Sequence, residues 1–304
     1  MYKKGDPVDL VYTWVDGTRP DYIELYSQYA SKNADLNPER YRDIYALLKY
    51  SMRSVEMFAP WIRNIYVFTA RPQIPEWLNT DNPRVKVIHH DEVFEKSDYL
   101  PTFNYNVIES HMHRLPGLSR YFVYMNDDHL YGSQMTTEDF FTRDGKVIVF
   151  GTLFGENLKY RIYEAKYDFV PIGFVEHTPS LIDRDAWGAM LDMEKQKVHA
   201  TRLNKFRDGS DICMEKLYRR YMLSQKRNES HAIKFWQLTR KSVFHKITNH
   251  LPSQIKQLDK IAEKKPKFIC MNDDQRLNPN QRVVERVQKF LDDFYPRPSQ
   301  FEKV

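Results

Sequence analysis

Three kinds of side chain in this sequence could act together on phosphate: paired acids, a histidine in a proline-bearing loop, and scattered arginines. Asn126-Asp127-Asp128 follows the apolar run 121–125, so two carboxylates stand where a buried strand opens into a loop. Hard oxygen ligands of this kind suit Mg²⁺ or Mn²⁺, and an ion held there would neutralise charge on a diphosphate leaving group. The same Asn-Asp-Asp also fits plain turn and capping chemistry. The pattern repeats at Asn272-Asp273-Asp274 after the apolar run 268–271, which adds Asp273 and Asp274 to the candidate metal ligands. His177 precedes Thr178-Pro179, a stretch that resists helix. With an ordinary pKa of ~6.5 it can take a proton from a hydroxyl near neutral pH. Arg42, Arg53, Arg71 and Arg207 lie near expected element ends or on helix faces, where a guanidinium fork can grip phosphate oxygens.

These residues need a scaffold that gathers distant segments at one edge. Residues 8–15 form an apolar run closed by Asp16-Gly17, as a buried strand does. Asp43 is placed to cap a helix with the apolar face Ile44, Leu47, Leu48, Met52, Val55 and Phe58, stopped by Pro60. Residues 64–70, 85–90 and 121–125 read as further strands, and 104–115 as a helix ended by Pro116-Gly117. Strands alternating with helices predict an α/β fold with a mainly parallel, doubly wound sheet, in which ligands bind beyond the carboxyl ends of the strands. Asp16 and the Asn126–Asp128 turn both fall at such ends. The second half reads as more helical, with amphipathic segments at 211–223 and 281–294 joined by a lysine-rich stretch at 253–267 that reads as a mobile connection, in part helical. One catalytic domain spanning 1–304 is expected, its α/β half 1–150 binding a nucleotide sugar and its helix-rich half 151–304 completing the site.

Composition narrows the classes. Hydrophobic residues make up 41% and aromatics 14%, which is ample for a large core and excludes a disordered chain. No run approaches the length of a membrane span and no apolar leader opens the sequence, so a cytoplasmic placement is expected. Cys213 and Cys270 have no zinc-finger spacing and read as core residues. Basic residues cluster at Arg219, Arg220, Lys226 and Arg227 and at Lys256, Lys260, Lys264, Lys265 and Lys267; they form either a solvated face or a surface for a polyanionic acceptor or an anionic membrane. There is no Walker loop, G-x-G-x-x-G, G-x-S-x-G or H-E-x-x-H, which argues against the usual nucleotide hydrolases, dehydrogenases, esterases and zinc proteases.

The wording and order of these segments resemble the Stealth family, which includes bacterial capsule-polymer phosphotransferases and the animal enzyme that begins the mannose-6-phosphate tag. Asp9-Leu-Val-Tyr-Thr-Trp-Val-Asp-Gly-Thr18 is similar to its first block. Tyr41-Arg-Asp43, Ala59-Pro-Trp-Ile62, Ile74-Pro-Glu-Trp-Leu78, Leu100-Pro-Thr-Phe-Asn104, His113-Arg-Leu-Pro-Gly-Leu-Ser119 and Tyr124-Met-Asn-Asp-Asp128 resemble the second. His177-Thr-Pro-Ser-Leu-Ile-Asp183 with Phe206-Arg207 is similar to the third, and Cys270-Met-Asn-Asp-Asp274 with the segment 294–301 to the fourth.

The resemblance implies a nucleotide-sugar-binding fold like that of GT-A glycosyltransferases. It also implies transfer of a hexose-1-phosphate, N-acetylglucosamine-1-phosphate foremost, from a UDP-sugar donor to a hydroxyl of a glycan or polysaccharide acceptor, with release of UMP. Asp128 and His177 would then act at the reaction centre and Arg207 on phosphate. Tyr12, Thr13, Trp14, Asp16 and Gly17 would line the donor pocket, with Arg42, Asp43, Asn104, Asn126 and Asp211 also at the substrate. His177 can serve as base or can itself attack phosphorus. The alternatives are a GT-A glycosyltransferase releasing UDP and a non-catalytic glycan- or polyanion-binding protein; nucleic acid is not an expected partner. Two residues depart from the pattern: His129, where the family more often has an apolar side chain, and Tyr105, where a small one is usual. The long insertions of the animal enzyme are absent, which implies a minimal catalytic core.

Overall fold

The computed structural model describes residues 1–30, 41–150, 177–233 and 235–303. Four strands, β1 (Val8–Thr13), β2 (Ile65–Thr69), β3 (Val85–His89) and β4 (Tyr121–Asn126), lie parallel in the order β3-β2-β1-β4. β1, β2 and β4 read as continuous apolar runs because both faces of the sheet are covered, and nearly every residue in them is buried. The chain moves outward from β1 to β2 and β3 and then returns to add β4 on the other side of β1, which creates a topological switch point between β1 and β4. The sheet is thus α/β and mainly parallel, as expected. Its outer strand beside β4, Ser180–Asp183, runs antiparallel.

Helix α1 (Pro20–Tyr29) follows β1, and α2 (Leu47–Phe58) crosses from β1 toward β2. α2 starts three residues later than the apolar pattern suggests, because Ala46 takes a left-handed conformation; Asp43 still accepts the Leu47 amide at 3.1 Å. The helix expected over 104–115 is a single short helix α3 (Tyr105–Glu109), capped by Asn104, plus a 3₁₀ turn at Met112–Arg114.

After β4 the chain doubles back into β5 (His129–Tyr131), and β6 (Val147–Val149) precedes the antiparallel outer strand, now numbered β7. Helices α4 (Arg184–Met193), α5 (Lys195–Leu203) and α6 (Met214–Gln225) follow, then β8 (Ser230–Ala232), α7 (Phe235–Thr239), β9 (Ser242–Ile247), α8 (Leu251–Lys264), β10 (Phe268–Asp273) and α9 (Gln281–Phe294). β5, β10 and β9 make a second sheet in the order β5-β10-β9, which the short runs in the sequence do not announce. The lysine-rich stretch 253–267, expected as a mobile and partly helical connection, is helical through Lys264 as α8. It opens on Pro252 and turns Gln254, Leu258 and Ile261 inward, while Lys256, Lys260 and Lys264 face solvent.

The amino ends of the main sheet are locked by Asp9, which is fully buried in β1. Its carboxylate takes a bidentate pair from Arg63 at 2.8 and 2.6 Å and the backbone amides of Asn64 and Ser119. The chemistry-bearing side chains gather at the opposite, carboxyl ends.

Candidate active site

Thr13 at the end of β1 stands in register with Asn126 at the end of β4, so 14–17 and 127–129 leave the sheet side by side at the switch point. The Tyr124 hydroxyl ties the two ends together, 3.2 Å from the Thr13 hydroxyl and donating to Asn126 Oδ1 at 2.9 Å. Trp14 Nε1 donates to Asp43 Oδ2 at 3.3 Å. Burial, and secondarily the charge of Asp16, pushes the Asp43 carboxyl up to about 6, against the opposing bonds from Trp14 and Leu47. The Asp16 backbone is latched by one side chain: Gln73 Oε1 accepts its amide at 2.8 Å and Gln73 Nε2 donates to its carbonyl at 3.1 Å. Gln73 also lines a cavity of about 460 Å³ with Tyr22, Leu25, Arg71, His90 and Phe103. Gly17 is required by close approach, since a Cβ there would stand 2.3 Å from Tyr41 Cβ.

Asp127 and Asp128 follow. Burial comes first and the neighbouring charges of Asp128 and Asp43 second in raising the Asp127 carboxyl well above the ordinary range. Asp128 is 18% exposed; its Oδ2 accepts the Cys270 thiol at 3.2 Å, and its Oδ1 stands 3.7 Å from His129 Nε2. That Oδ1 has no hydrogen-bond partner among the described residues. Two crowded acids and an unsatisfied carboxylate oxygen form a donor set that fits a divalent cation. His177, held at a φ of 62°, stacks its ring on Phe244 with centroids 4.4 Å apart. Ligand-capable atoms of His129, His177 and Cys270 all lie within 4.8 Å of one another. Cys270 thus links the histidine to the acid: the fold brings His177 and Asp128, far apart in sequence, to one place.

The Arg207 guanidinium covers the Tyr105 ring at 5.2 Å, and Tyr105 neighbours the buried Glu109 and the part-buried Glu215. Asn104 and Asp211, expected at the substrate, hold together the loop that carries Arg207. Asn104 is fully buried and donates to Asp211 Oδ2 at 2.7 Å and to the carbonyls of Asn204 and Phe206.

Other expectations need correction. Tyr12 lines no pocket with its side chain; its ring is fully buried and its hydroxyl lies 2.6 Å from the Ser51 hydroxyl, because inward positions of a doubly covered strand belong to the core. Asp273 and Asp274 meet neither Asp127 nor Asp128 among the described contacts. Asp273 is paired at 2.6 Å with Arg42, and Asp274 with Lys246 and Arg276. Asp273 closes β10 in the second sheet and Asp274 follows it; Arg42, from the segment before α2, gives its Nε to Asp273, and its Nη2 has no hydrogen-bond partner among the described residues. Arg53 is likewise paired with Glu302, and Arg71 with Asp91 and Glu92. Arg219, grouped with surface bases in the sequence, is buried beside Ser180 and Glu215.

Three family models match the chain, described as Stealth protein conserved region 1 on residues 6–34, conserved region 2 on 40–149 and conserved region 4 on 259–304. An exopolysaccharide phosphotransferase of Streptomyces coelicolor is 32% identical over 98% of the chain and 52% of its own length. The chain belongs to the Stealth family. The capsular polysaccharide phosphotransferase SacB of Neisseria meningitidis serogroup A is 29% identical over 97% of this Stealth chain and 57% of SacB. The chain therefore spans about half the length of the curated relatives it matches. Among solved structures, the galactosyltransferase LgtC in complex with donor and acceptor sugar analogs aligns at 12% identity and a TM-score of 0.47, covering 94% of this chain and 96% of LgtC. The glycosyltransferase GlyE of Streptococcus pneumoniae TIGR4 aligns at 10% identity and 0.44, covering 96% and 64%.

Sequence reasoning missed four residues of this Stealth site: Gln73, Glu109, Cys270 and the contact made by His129. His129 stood out only as a departure from the family pattern and Cys270 only as a core residue opening the fourth block; the β5–β10 register sets them opposite each other.

Proposed function

We propose that the chain transfers a hexose-1-phosphate, N-acetylglucosamine-1-phosphate in the first place, from a UDP-sugar to a glycan hydroxyl, forming a phosphodiester and releasing UMP. The observation that supports this most is the convergence of His177 with Asp128 at the switch point, beside the Trp14–Gly17 turn. In such folds that crevice is where nucleotides bind.

In this reading His177 takes the proton of the acceptor hydroxyl as its oxygen bonds to the sugar-linked phosphorus. The bond from that phosphorus to the bridging oxygen of the pyrophosphate breaks, and UMP leaves with the electron pair. Asp127 and Asp128 would hold Mg²⁺ or Mn²⁺, whose chemistry is neutralisation of the diphosphate charge. Arg207, carried on the Asn104–Asp211 loop, reaches a phosphate oxygen. The Gln73 latch on Asp16 and the Trp14 bond to Asp43 keep the donor turn rigid. Attack by His177 itself is distinguished by stereochemistry, since direct transfer inverts phosphorus and two displacements retain it.

A panel of nucleotide sugars with Mg²⁺, with and without glycan acceptors, tests the reading by chromatography of the released nucleotide. Acceptor-dependent UMP is expected. UDP as the product would replace this reading with glycosyl transfer, and no release from any donor would remove both.

A further inference from the structure

Beside the proposed oxygen-ligand site the structure holds a second, softer set of donors. Cys270 in β10 and His129 in β5 face each other in the antiparallel ladder, so their side chains lie on the same face. His177 comes in from the other half of the chain, and the three donor atoms fall within 4.8 Å of one another. Asp128 borders the group, joined to the thiol at 3.2 Å and to His129 Nε2 at 3.7 Å. His129 is only 4% exposed, yet its Nε2 has no hydrogen-bond partner among the described residues. A buried imidazole nitrogen without a partner needs an explanation, and here it is aimed at a thiol and a carboxylate. His129 is also where the family resemblance predicts an apolar residue.

One thiolate, two imidazoles and a carboxylate are a tetrahedral donor set suited to Zn²⁺ and poorly suited to Mg²⁺, which takes oxygen ligands. We infer that His129, His177 and Cys270, with Asp128 as the fourth ligand, form a site for Zn²⁺ or a similar borderline-soft ion, and that filling it silences the transfer centre. On binding, the thiol proton that now faces Asp128 Oδ2 goes to solvent and the ion takes its place. Ligation through His129 Nε2 moves the ring proton to Nδ1, which now accepts the Asn126 amide at 3.3 Å. That long contact is lost, a small cost beside a zinc–thiolate bond. A ring nitrogen of His177 and an oxygen of Asp128 are then committed to the ion, so neither is available to an acceptor hydroxyl or to Mg²⁺. The inhibitory half of the inference rests on the transfer reading; the metal site does not.

The test uses the chelator-stripped chain. Titration calorimetry with Zn²⁺ is expected to give one ion per chain, and Co²⁺ to give a near-ultraviolet thiolate-to-metal absorption. Loss of an outer partner alone weakens metal sites by ~10–100-fold, so Cys270→Ser and His129→Leu should weaken Zn²⁺ by on the order of 10²-fold or more. Cys270→Ser should also abolish the Co²⁺–thiolate band. With UMP release as readout, Zn²⁺ added to the Mg²⁺-supplied wild type should halve turnover at the occupancy midpoint and stop it at saturation, and a chelator should restore it. Absence of stoichiometric Zn²⁺ and of the Co²⁺–thiolate band in the wild type, which needs no variant to fold, would overturn the site. Binding indifferent to both substitutions would overturn it equally. Activity that rises with Zn²⁺ would overturn the inhibitory role.

Discussion

Breaking the Arg53–Glu302 pair should unlatch the carboxy-terminal segment from α2. Arg53 Nε and its terminal nitrogen meet the two Glu302 oxygens at 2.8 and 2.7 Å, and its third nitrogen donates to the Tyr295 carbonyl at 3.0 Å. Both side chains are only 10% exposed. Burial alone would raise the Glu302 carboxyl; the hydrogen bonds from Arg53 and Ser299 outweigh it and hold it below the ordinary value. Glu302→Ala leaves a buried guanidinium without its partner, a loss of about 3–5 kcal/mol in comparable pairs. Ser299, which gives Glu302 its amide at 2.7 Å and its hydroxyl at 3.0 Å, loses its acceptor as well. Because the tail can lift and admit water, about 3 kcal/mol is expected, read from the urea midpoint at unchanged slope. The double replacement Arg53→Met with Glu302→Leu should recover most of that loss, since apolar substitutes of similar volume often match a buried pair. The pair's contribution should be present above the ordinary carboxylate pKa and be lost as pH falls through the depressed value. A Glu302→Ala midpoint within about 1 kcal/mol of wild type, the range of an exposed pair, would refute the reasoning.

Three further outcomes are expected. His177→Ala should lower UMP release by ~10²- to 10⁴-fold while donor affinity by calorimetry stays near wild type; turnover close to wild type would remove His177 from the reaction. The Asp43 carboxyl, raised from 3.8 to about 6, contributes stability that is complete below 3.8 and lost as pH rises through about 6, at most about 3 kcal/mol. Denaturation of wild type and Asp43→Asn across that window should show wild type losing ground to the variant as pH rises; parallel profiles would contradict it. Gly17→Ala puts a Cβ 2.3 Å from Tyr41 Cβ, so it should destabilise by ~1–3 kcal/mol and weaken donor binding. An unchanged melting temperature would mean that the 17–41 approach is not constrained.

Much of the sheet was legible because parallel strands buried on both faces, as β1, β2 and β4 are, must read as apolar runs; these and the edge strand β3 fall within two residues of the runs 8–15, 64–70, 121–125 and 85–90. That Asp16 and Asp128 lie beyond the carboxyl ends of strands followed from the runs before them, while the β3-β2-β1-β4 order that puts them at a switch point appears only in the fold. The amphipathic stripe of α9 likewise gave its bounds, residues 281–294. What escaped was decided by pairing between distant segments. β5 is three residues long and β9 carries Phe244 outward, so neither has a periodicity to read. Lysine content disguised α8, whose few inward residues suffice because α9 packs on it. Within the site, residue type could nominate Arg42, Asp273 and Asp274 but not reveal that they neutralise one another or other neighbours. Asn104 and Asp211 were nominated by the family resemblance, but the hydrogen bonds that tie them to each other and to the carbonyls of Asn204 and Phe206 could be seen only in the fold.

The central claim, that the acid, imidazole and guanidinium act on phosphorus and leave the sugar carbon alone, is tested by an oxygen label. A UDP-sugar carrying ¹⁸O between the anomeric carbon and phosphorus is turned over with acceptor, and both products are weighed by mass spectrometry. The label should remain in the glycan phosphodiester, with unlabelled UMP released; label departing in UDP would contradict the account.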